Sequence, residues 1–154
     1  MSRAAATVSV VTTDGAAGRA GVTVSAMTSV SADGPTPTML ACVNASSSAA
    51  VPILENRCFA INVLHESQQH VADVFASRID APGGDKFNVV DHGPLETGAP
   101  IFAGALVSFD CKVSRADLVD THWVLIGAVQ AVRVSEDGAP LMYGMRRYLR
   151  TERA

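Results

Sequence analysis

Basic charge is scarce in this chain. Twelve Lys and Arg stand against fifteen Asp and Glu, a formal net charge of −3 over 154 residues. That balance argues against a nucleic-acid partner, whose protein surface carries a basic excess. Long apolar runs are absent too: none approaches the roughly 20 residues of a membrane span. Cysteine is limited to Cys42, Cys58 and Cys111, each inside an apolar stretch ("LACVN", "NRCFAINV", "SFDCKV"). An odd number with no close pair is not a disulfide framework, so the three read as small buried hydrophobes. The opening "MSRAAATVSVVTTDG" has one Arg and no apolar segment ending in a cleavage site. No signal peptide is read there, and a cytoplasmic protein is the expectation.

Familiar catalytic signatures are missing as well. "HESQQH" places His65 and His70 five apart, whereas the zinc-protease helix needs its histidines four apart. At about 100° per residue the two would point to different faces of a helix. There is no CxxC pair, so no metal site is expected. "DGAAGRAG" (Asp14 to Gly21) is neither GxGxxG nor a P-loop and reads as a flexible hairpin turn. With no G-x-S-x-G elbow and no cysteine in activating surroundings, nucleophilic catalysis has no obvious residue. An enzyme of this composition would borrow its chemistry from a cofactor.

What is present is β-strand material around a sizeable core, in a chain 48% hydrophobic and of one-domain length (1–154). "ATVSVVTT" (Ala6 to Thr13) is rich in β-branched residues and ends at the turn signal "DG". "GRAGVTVSAM" follows, pairing with it as a hairpin. "TMLACVN" (Thr38 to Asn44) and "CFAINVL" (Cys58 to Leu64) read as further strands. "ALVSFDCKVSRAD" (Ala105 to Asp117) and "HWVLIGAVQAVRVS" (His122 to Ser135) are long and alternate in part, which suits a strongly curved sheet. Helices are expected over Ser46 to Asn56, where Pro52 must lie in the first turn or break the helix, and over Glu66 to Ala76, with Val71, Val74 and Phe75 on one face. "DAPGGDKF" (Asp80 to Phe87) reads as a loop. The order is mainly β with inserted helices, which favours an antiparallel barrel over a doubly wound sheet.

Small hydroxyls cluster in two places. In "AGVTVSAMTSVSADGP", Thr23 and Ser25 share one strand face, and Thr28, Ser29 and Ser31 follow as the strand gives way to a turn. In "CVNASSS", Asn44, Ser46, Ser47 and Ser48 lie between a strand and a helix start. Hydroxyls and amides there suit a phosphate, with Lys86 of "GGDKF" adding a positive charge; they equally suit an ordinary helix cap. Asn62 sits inside an apolar strand, where it must bond either neighbouring backbone or the edge of a flat heteroaromatic ligand. His122 reads as a strand-end residue facing water or as a polar group at a pocket mouth.

Taken in order, "VSVVTTDGAAGRAGVTVSAMTSVSADGPTPTMLACVNASSS", "FAINVLHESQQHVADVFA", "DKF", "GALVSFDCKV", "THWVLIGAVQAV" and "PLMYGMRRY" resemble the flavin reductase-like family, the short-chain NAD(P)H:flavin oxidoreductases with the FMN-binding split-barrel fold. The stretches cover nearly the whole chain and look most like the reductase components of two-component flavin monooxygenases. The resemblance implies that Thr23, Val24, Ser25 and Ala26 line the isoalloxazine and ribityl chain, with Ser29 beyond them. It implies that Asn44, Ser46, Ser47 and Ser48 hold the phosphate region, with Lys86 and Phe87 closing that side. Ala60, Ile61 and Asn62 would flank the ring, His122 would lie near the nicotinamide or ring face, and Tyr148 would be an aromatic near the same place. Relatives commonly carry an extra N-terminal helical segment and a His just after the aromatic matched by Tyr148. This chain opens almost at the strand and has Leu149 there, so part of the dimer surface or of the pocket edge is expected to differ and a role for that His is not carried over.

By this resemblance the chain is an NAD(P)H-dependent flavin reductase passing a hydride from NADH (or NADPH) to FMN (or FAD). It is expected to be a homodimer serving a partner monooxygenase, with His122 as an orienting or electrostatic residue. The alternatives are a non-catalytic flavin or haem carrier on the same fold, and a reductase of another acceptor that keeps FMN tightly bound.

Overall fold

A computed structural model describes residues 1–152. Its strands are β1 (Ala6–Thr7), β2 (Ser9–Thr13), β3 (Ala20–Val24), β4 (Met27–Ser31), β5 (Thr38–Asn44), β6 (Cys58–Val63), β7 (His92–Gly93), β8 (Ile101–Phe102), β9 (Val107–Val119), β10 (His122–Val134), β11 (Met142–Gly144) and β12 (Arg147–Leu149). Two short helices, α1 (Ala50–Asn56) and α2 (Gln69–Phe75), interrupt them.

Seven strands form one antiparallel sheet in the order β3-β2-β6-β9-β10-β5-β4. The two edge strands, β3 and β4, are consecutive in the chain and joined only by Ser25 and Ala26. Two residues cannot span a flat sheet seven strands wide at about 4.8 Å per strand, so the sheet must roll until its edges meet. The long strands make that curvature possible. Their register shifts between Ile126 and Gly127 and again between Val129 and Ala131, and such bulges bend and twist a strand. Gly127 is required at the first of these: a Cβ there would lie 2.5 Å from the Phe59 ring and 2.7 Å from Cys111 Cβ.

The barrel interior is filled by alternate residues of the strands. Met39, Ala41 and Val43 of β5, Phe59 and Ile61 of β6, Val11, Cys111 and Leu125 form one buried cluster with Ile53 of α1. Every residue of β2 and β6 is buried, because elements cover both faces. On the outer face Val10, Leu64, Val71, Phe75, Phe87, Phe102 and Leu141 make a second core beneath α2. The hairpin β11–β12 pairs with β1 and seals one end of that second core.

Three expectations are corrected in detail. Met27–Ser31 is a strand in its own right, paired with β5 through Met27–Ala41 and Thr28–Leu40, not a strand end running into a turn. Helix α1 begins at Ala50 and has no side-chain cap, because Ser46–Ser48 belong to a separate turn. Helix α2 begins at Gln69 and not at Glu66, because Glu66–Gln68 is a separate 3-10 turn capped by His65, whose Nδ1 accepts from Ser67 N at 3.0 Å.

Candidate functional site: a trough along the barrel seam

The roll leaves a seam between edge strand β3 and the far end of β5, and the hydroxyl clusters meet there. One cleft of about 480 Å³ is lined by Gly21, Val22 and Thr23 of β3, by Asn44 and Ser46 to Ser48, by Phe75, Ala76 and Ser77 at the end of α2, and by Lys86. It does not stand alone. Thr23 and Ala76 also line a concavity with Val24, Ser25, Arg78, Tyr143 and Tyr148. Ser25 and Tyr143 then continue to Ala26. In the other direction Gly21, Ser48 and Lys86 lead to Arg19, Asp85 and Phe87. The result is a trough that follows one strand from Arg19 to Ala26, roughly 20–25 Å at about 3.3 Å per residue.

Its walls are fixed by ordinary local chemistry. The Asn44 carboxamide oxygen accepts from Ser46 N at 2.9 Å and from Ser46 Oγ at 2.8 Å, and Ser47 N donates to Asn44 O at 3.0 Å. Such a side-chain-held turn presents a run of hydroxyls ahead of the helix. Ser47 Oγ is buried and has no hydrogen-bond partner among the described residues. A buried hydroxyl left unpaired is costly, and this one sits in the cleft wall. Opposite, Lys86 Nζ donates to Ser77 Oγ at 2.8 Å and to Phe75 O at 3.4 Å; burial lowers the pKa of its ammonium group below the usual lysine value. Ser77 holds a left-handed φ of 57°, a conformation most side chains avoid, at the turn closing α2. On the floor, Gly21 is the residue that fits: a Cβ would meet Phe75 at 2.7 Å and Phe87 at 3.4 Å. Thr23 Oγ1 donates to Ala72 O at 2.7 Å, tying β3 to α2.

The opposite end of the trough is aromatic and cationic. Tyr143 and Tyr148 meet edge to face at 5.3 Å, and the Arg78 guanidinium lies 5.1 Å and 5.8 Å from their centroids. The Tyr148 hydroxyl donates to Asp73 Oδ1 at 2.6 Å, and Arg78 Nη1 stands 3.5 Å from the same oxygen.

The structure thus gathers Thr23, Val24, Ser25, Ala26, Asn44, Ser46, Ser47, Ser48, Lys86, Phe87 and Tyr148 along one surface. It does not gather the rest. Ala60, Ile61 and Asn62 are fully buried. Asn62 Nδ2 donates to Val10 O, Thr12 Oγ1 and Pro100 O, while its Oδ1 accepts from Phe102 N and Ser108 Oγ. Its bonding capacity is spent inside the protein, so it is a structural hub and not a wall of the trough. Ser29 lies elsewhere too, in an apolar groove of about 610 Å³ with Met27, Pro37, Met39, Phe109 and Val132. His122 is exposed, bonds Thr121 Oγ1 through Nδ1 at 2.8 Å, and stands opposite Asn44 in the β10–β5 register, at the rim and outside the cleft wall. Sequence reasoning missed Arg78, Asp73, Tyr143, Phe75, Ser77 and Arg19. The only signal for the first of these is position, since "FASR" continues the helix whose apolar face carries Val71, Val74 and Phe75.

A rolled antiparallel sheet whose seam carries a hydroxyl-and-lysine cleft leading to an aromatic end is the split barrel of flavin reductases. The match to the flavin reductase like domain runs over residues 1–152, and the chain belongs to that family. The FMN reductase (NADH) RutF 2 of Methylorubrum extorquens is 45% identical over 148 residues, which is 96% of this chain and 84% of the relative. Among solved structures, BorF, the flavin reductase component of a bacterial two-component tryptophan halogenase, superposes with a TM-score of 0.84 at 31% identity, covering 98% of this chain and 94% of BorF. The NADH:FAD oxidoreductase SgcE6 of Streptomyces globisporus, solved with NAD and FAD fragments, gives a TM-score of 0.88 at 27% identity, covering 98% and 88%.

Proposed function

We propose that this chain is an NADH-dependent FMN reductase that supplies reduced flavin to a partner monooxygenase. The observation that carries this reading is the orphaned, buried Ser47 hydroxyl in a cleft whose opposite wall is the Lys86 ammonium group. A dianionic phosphate supplies acceptors to both, and charge-assisted bonds of this kind are about twice as strong as neutral ones. Ser46, Ser47, Ser48 and Lys86 would hold the phosphate, Gly21 to Thr23 would line the ribityl chain, and Val24, Ser25 and Ala26 beside Tyr148 would line the isoalloxazine ring.

A flavin held there would supply the redox chemistry, namely acceptance of a hydride from the nicotinamide nucleotide. The protein's part is positioning. Holding both rings in reacting geometry is worth roughly 7–11 kcal/mol, and no side chain need act as acid or nucleophile. Thr23, locked to Ala72, and the edge backbone of β3 fix the ring edge. Arg78, which lines the aromatic end of the trough, would hold positive charge there and stabilise a reduced, more negative ring. His122 orients the nicotinamide nucleotide from the rim beside Asn44.

The chain acts as one flavin reductase-like domain in the cytoplasm and works as a homodimer. The apolar groove around Ser29, with Val30 and Val132 about half exposed beside it, supports a second copy as its cover.

The test is NADH oxidation followed by absorbance with FMN added. Turnover that saturates with FMN, and whose FMN KM rises several-fold in Ser47→Ala, supports the reading. Flavin binding without NADH oxidation would move the chain to the carrier alternative.

A further inference from the structure

Charge is spread unevenly over this chain. Arg3, Arg146, Arg147 and Arg150 are all exposed, and the segments 1–7 and 142–152 that carry them hold one acid, Glu152. The rest of the sequence sets eight cations against fourteen acids. The four arginines meet at one corner of the fold. Strand β1 pairs with β11 through Ala6–Tyr143 and Thr7–Met142, and Met145 N donates to Ser2 O. A Cβ on Gly144 would lie 3.1 Å from Ala5 Cα, so the two segments pack without a gap. The segment bearing Arg3 thus lies against the β11–β12 turn bearing Arg146 and Arg147, and Arg150 follows at the end of β12. Among the described residues the ion pairs of arginine are made by Arg19, Arg78 and Arg115, and none of these four has a partner.

The turn itself is strained. Met145 and Arg146 form the two-residue link of the hairpin, at φ 51° and 61°. Left-handed φ at both positions matches the twist of a hairpin and ordinarily selects Asn and Gly. Larger side chains held in that conformation mark positions where function outweighs comfort. The tip they make is Met145, 53% exposed, flanked by arginines. Met and Arg are the residue types enriched where proteins meet. The tip also stands at the open end of the trough, since Arg146 shares a concavity of about 400 Å³ with Ser25, Ala26 and Tyr143.

We propose that this arginine corner docks the acidic face of the protein that receives reduced flavin. The inference rests on the reductase reading and names the surface by which that partner is met. A chain of net charge −3 repels an acidic partner over most of its surface and attracts it here, so the encounter is oriented as well as accelerated. The orientation turns the Ser25–Ala26 end of the trough toward the partner. A nucleic acid fits less well, because it needs a basic track that follows its backbone, and four arginines around one methionine are too compact to make one.

The test uses fluorescein-labelled poly-L-glutamate as the acidic surface, titrated by anisotropy at low and at physiological salt. The wild type is compared with Arg146→Asn/Arg147→Gln/Arg150→Gln, in which Asn tolerates the left-handed turn. A charge-matched control, Arg57→Asn/Lys112→Gln/Arg115→Gln, removes three cations elsewhere. The expected result is salt-sensitive binding that weakens about tenfold in the hairpin variant, as for three exposed charge contacts each worth about twofold, and changes by less than about twofold in the control. The single change Arg147→Gln, outside the turn, should weaken it about twofold and carries the test if the triple variant does not fold. The KM values for FMN and NADH should stay at the wild-type level in all variants. Equal weakening in the hairpin variant and the control would reduce the effect to net charge and overturn the docking surface. No binding at low salt, or tighter binding of a labelled DNA duplex, would overturn it as well. Raised KM values with unchanged poly-L-glutamate binding would assign the arginines to the nucleotides, which equally overturns it. A wild type that oxidises no NADH in the presence of FMN would instead defeat the reductase reading, an outcome that the anisotropy titration does not touch.

Discussion

The Tyr148 hydroxyl donates a 2.6 Å hydrogen bond to Asp73, joining β12 to the helix that walls the seam cleft. Burial first, and the Asp73 carboxylate second, push the Tyr148 phenol well above the ordinary tyrosine range. A phenol whose folded pKa is raised contributes stability that is fully present below the unfolded value. That contribution is lost as pH climbs from about 10. Denaturant melts at pH 8, 10 and 11 should therefore show an alkaline loss that is smaller in Tyr148→Phe than in the wild type. At pH 8 the substitution itself should cost about 1–2 kcal/mol; equal alkaline slopes would remove Tyr148 as the titrating group.

Ser47 gives a test with two opposite signs. Its hydroxyl is buried without a partner, so Ser47→Ala should leave the melting temperature unchanged or raise it, since an unsatisfied polar group is removed. The same change should weaken FMN binding several-fold. A fall in both would mean that Ser47 is structural.

Lys86 should behave differently. It bonds Ser77 and Phe75 across the cleft and carries the positive charge that the proposed phosphate site would use. Lys86→Met should raise the FMN KM by roughly tenfold or more, with a smaller change in kcat, because the ammonium group does not touch the reacting ring. Steady-state kinetics with varied FMN reads the split. A kcat loss at saturating FMN would place Lys86 nearer the chemistry.

Asn62 separates scaffold from site. Asn62→Ala leaves the Phe102 amide, the Ser108 hydroxyl and the groups bonded by Nδ2 without their partner in a dry interior. A loss of at least about 3 kcal/mol is expected, while folded protein retains its FMN affinity. Chemical melts and a flavin titration measure the two. A shifted affinity with intact stability would return Asn62 to the ligand.

The cysteines offer a chemical check. The Cys111 thiol is pushed up to about 12, by burial first and by neighbouring Asp110 second, so its nucleophilic thiolate is scarce at pH 8. Iodoacetamide at that pH should label Cys42, the less buried of the three, well before Cys111, as read by peptide mass spectrometry. Denaturant should erase the difference.

The strands that carry apolar alternation were legible. Met39, Ala41 and Val43 fall on one face of β5 as the pattern required, and the two long strands match their ranges to within a few residues. Strand β4 was not legible, because its four residues Thr28 to Ser31 are exposed and carry no inward stripe; its pairing with β5 alone makes it a strand. The serines after Asn44 resembled a helix cap. Only the structure shows that the Asn44 side chain claims them for a turn of their own. Asn62 left two readings open, and the loop through Pro100 and Phe102 decides between them. No spacing rule brings residues 73, 78, 143 and 148 together, since that cluster is a product of β12 folding back onto α2.

The two-residue join at Ser25 and Ala26 bears on when the site comes into being. Strand β3 is tethered to the cleft rim on β5 through β4, but the barrel that fixes their spacing closes only when β6, β9 and β10, all encoded later, stand between β2 and β5. Until then no closed barrel fixes Thr23 and Ser47 across one cavity. Pairings this distant in sequence are slow to form, so no early folding species can recognise flavin. Added FMN should accordingly slow unfolding, by favouring only the closed barrel through mass action, while leaving the rate of refolding untouched.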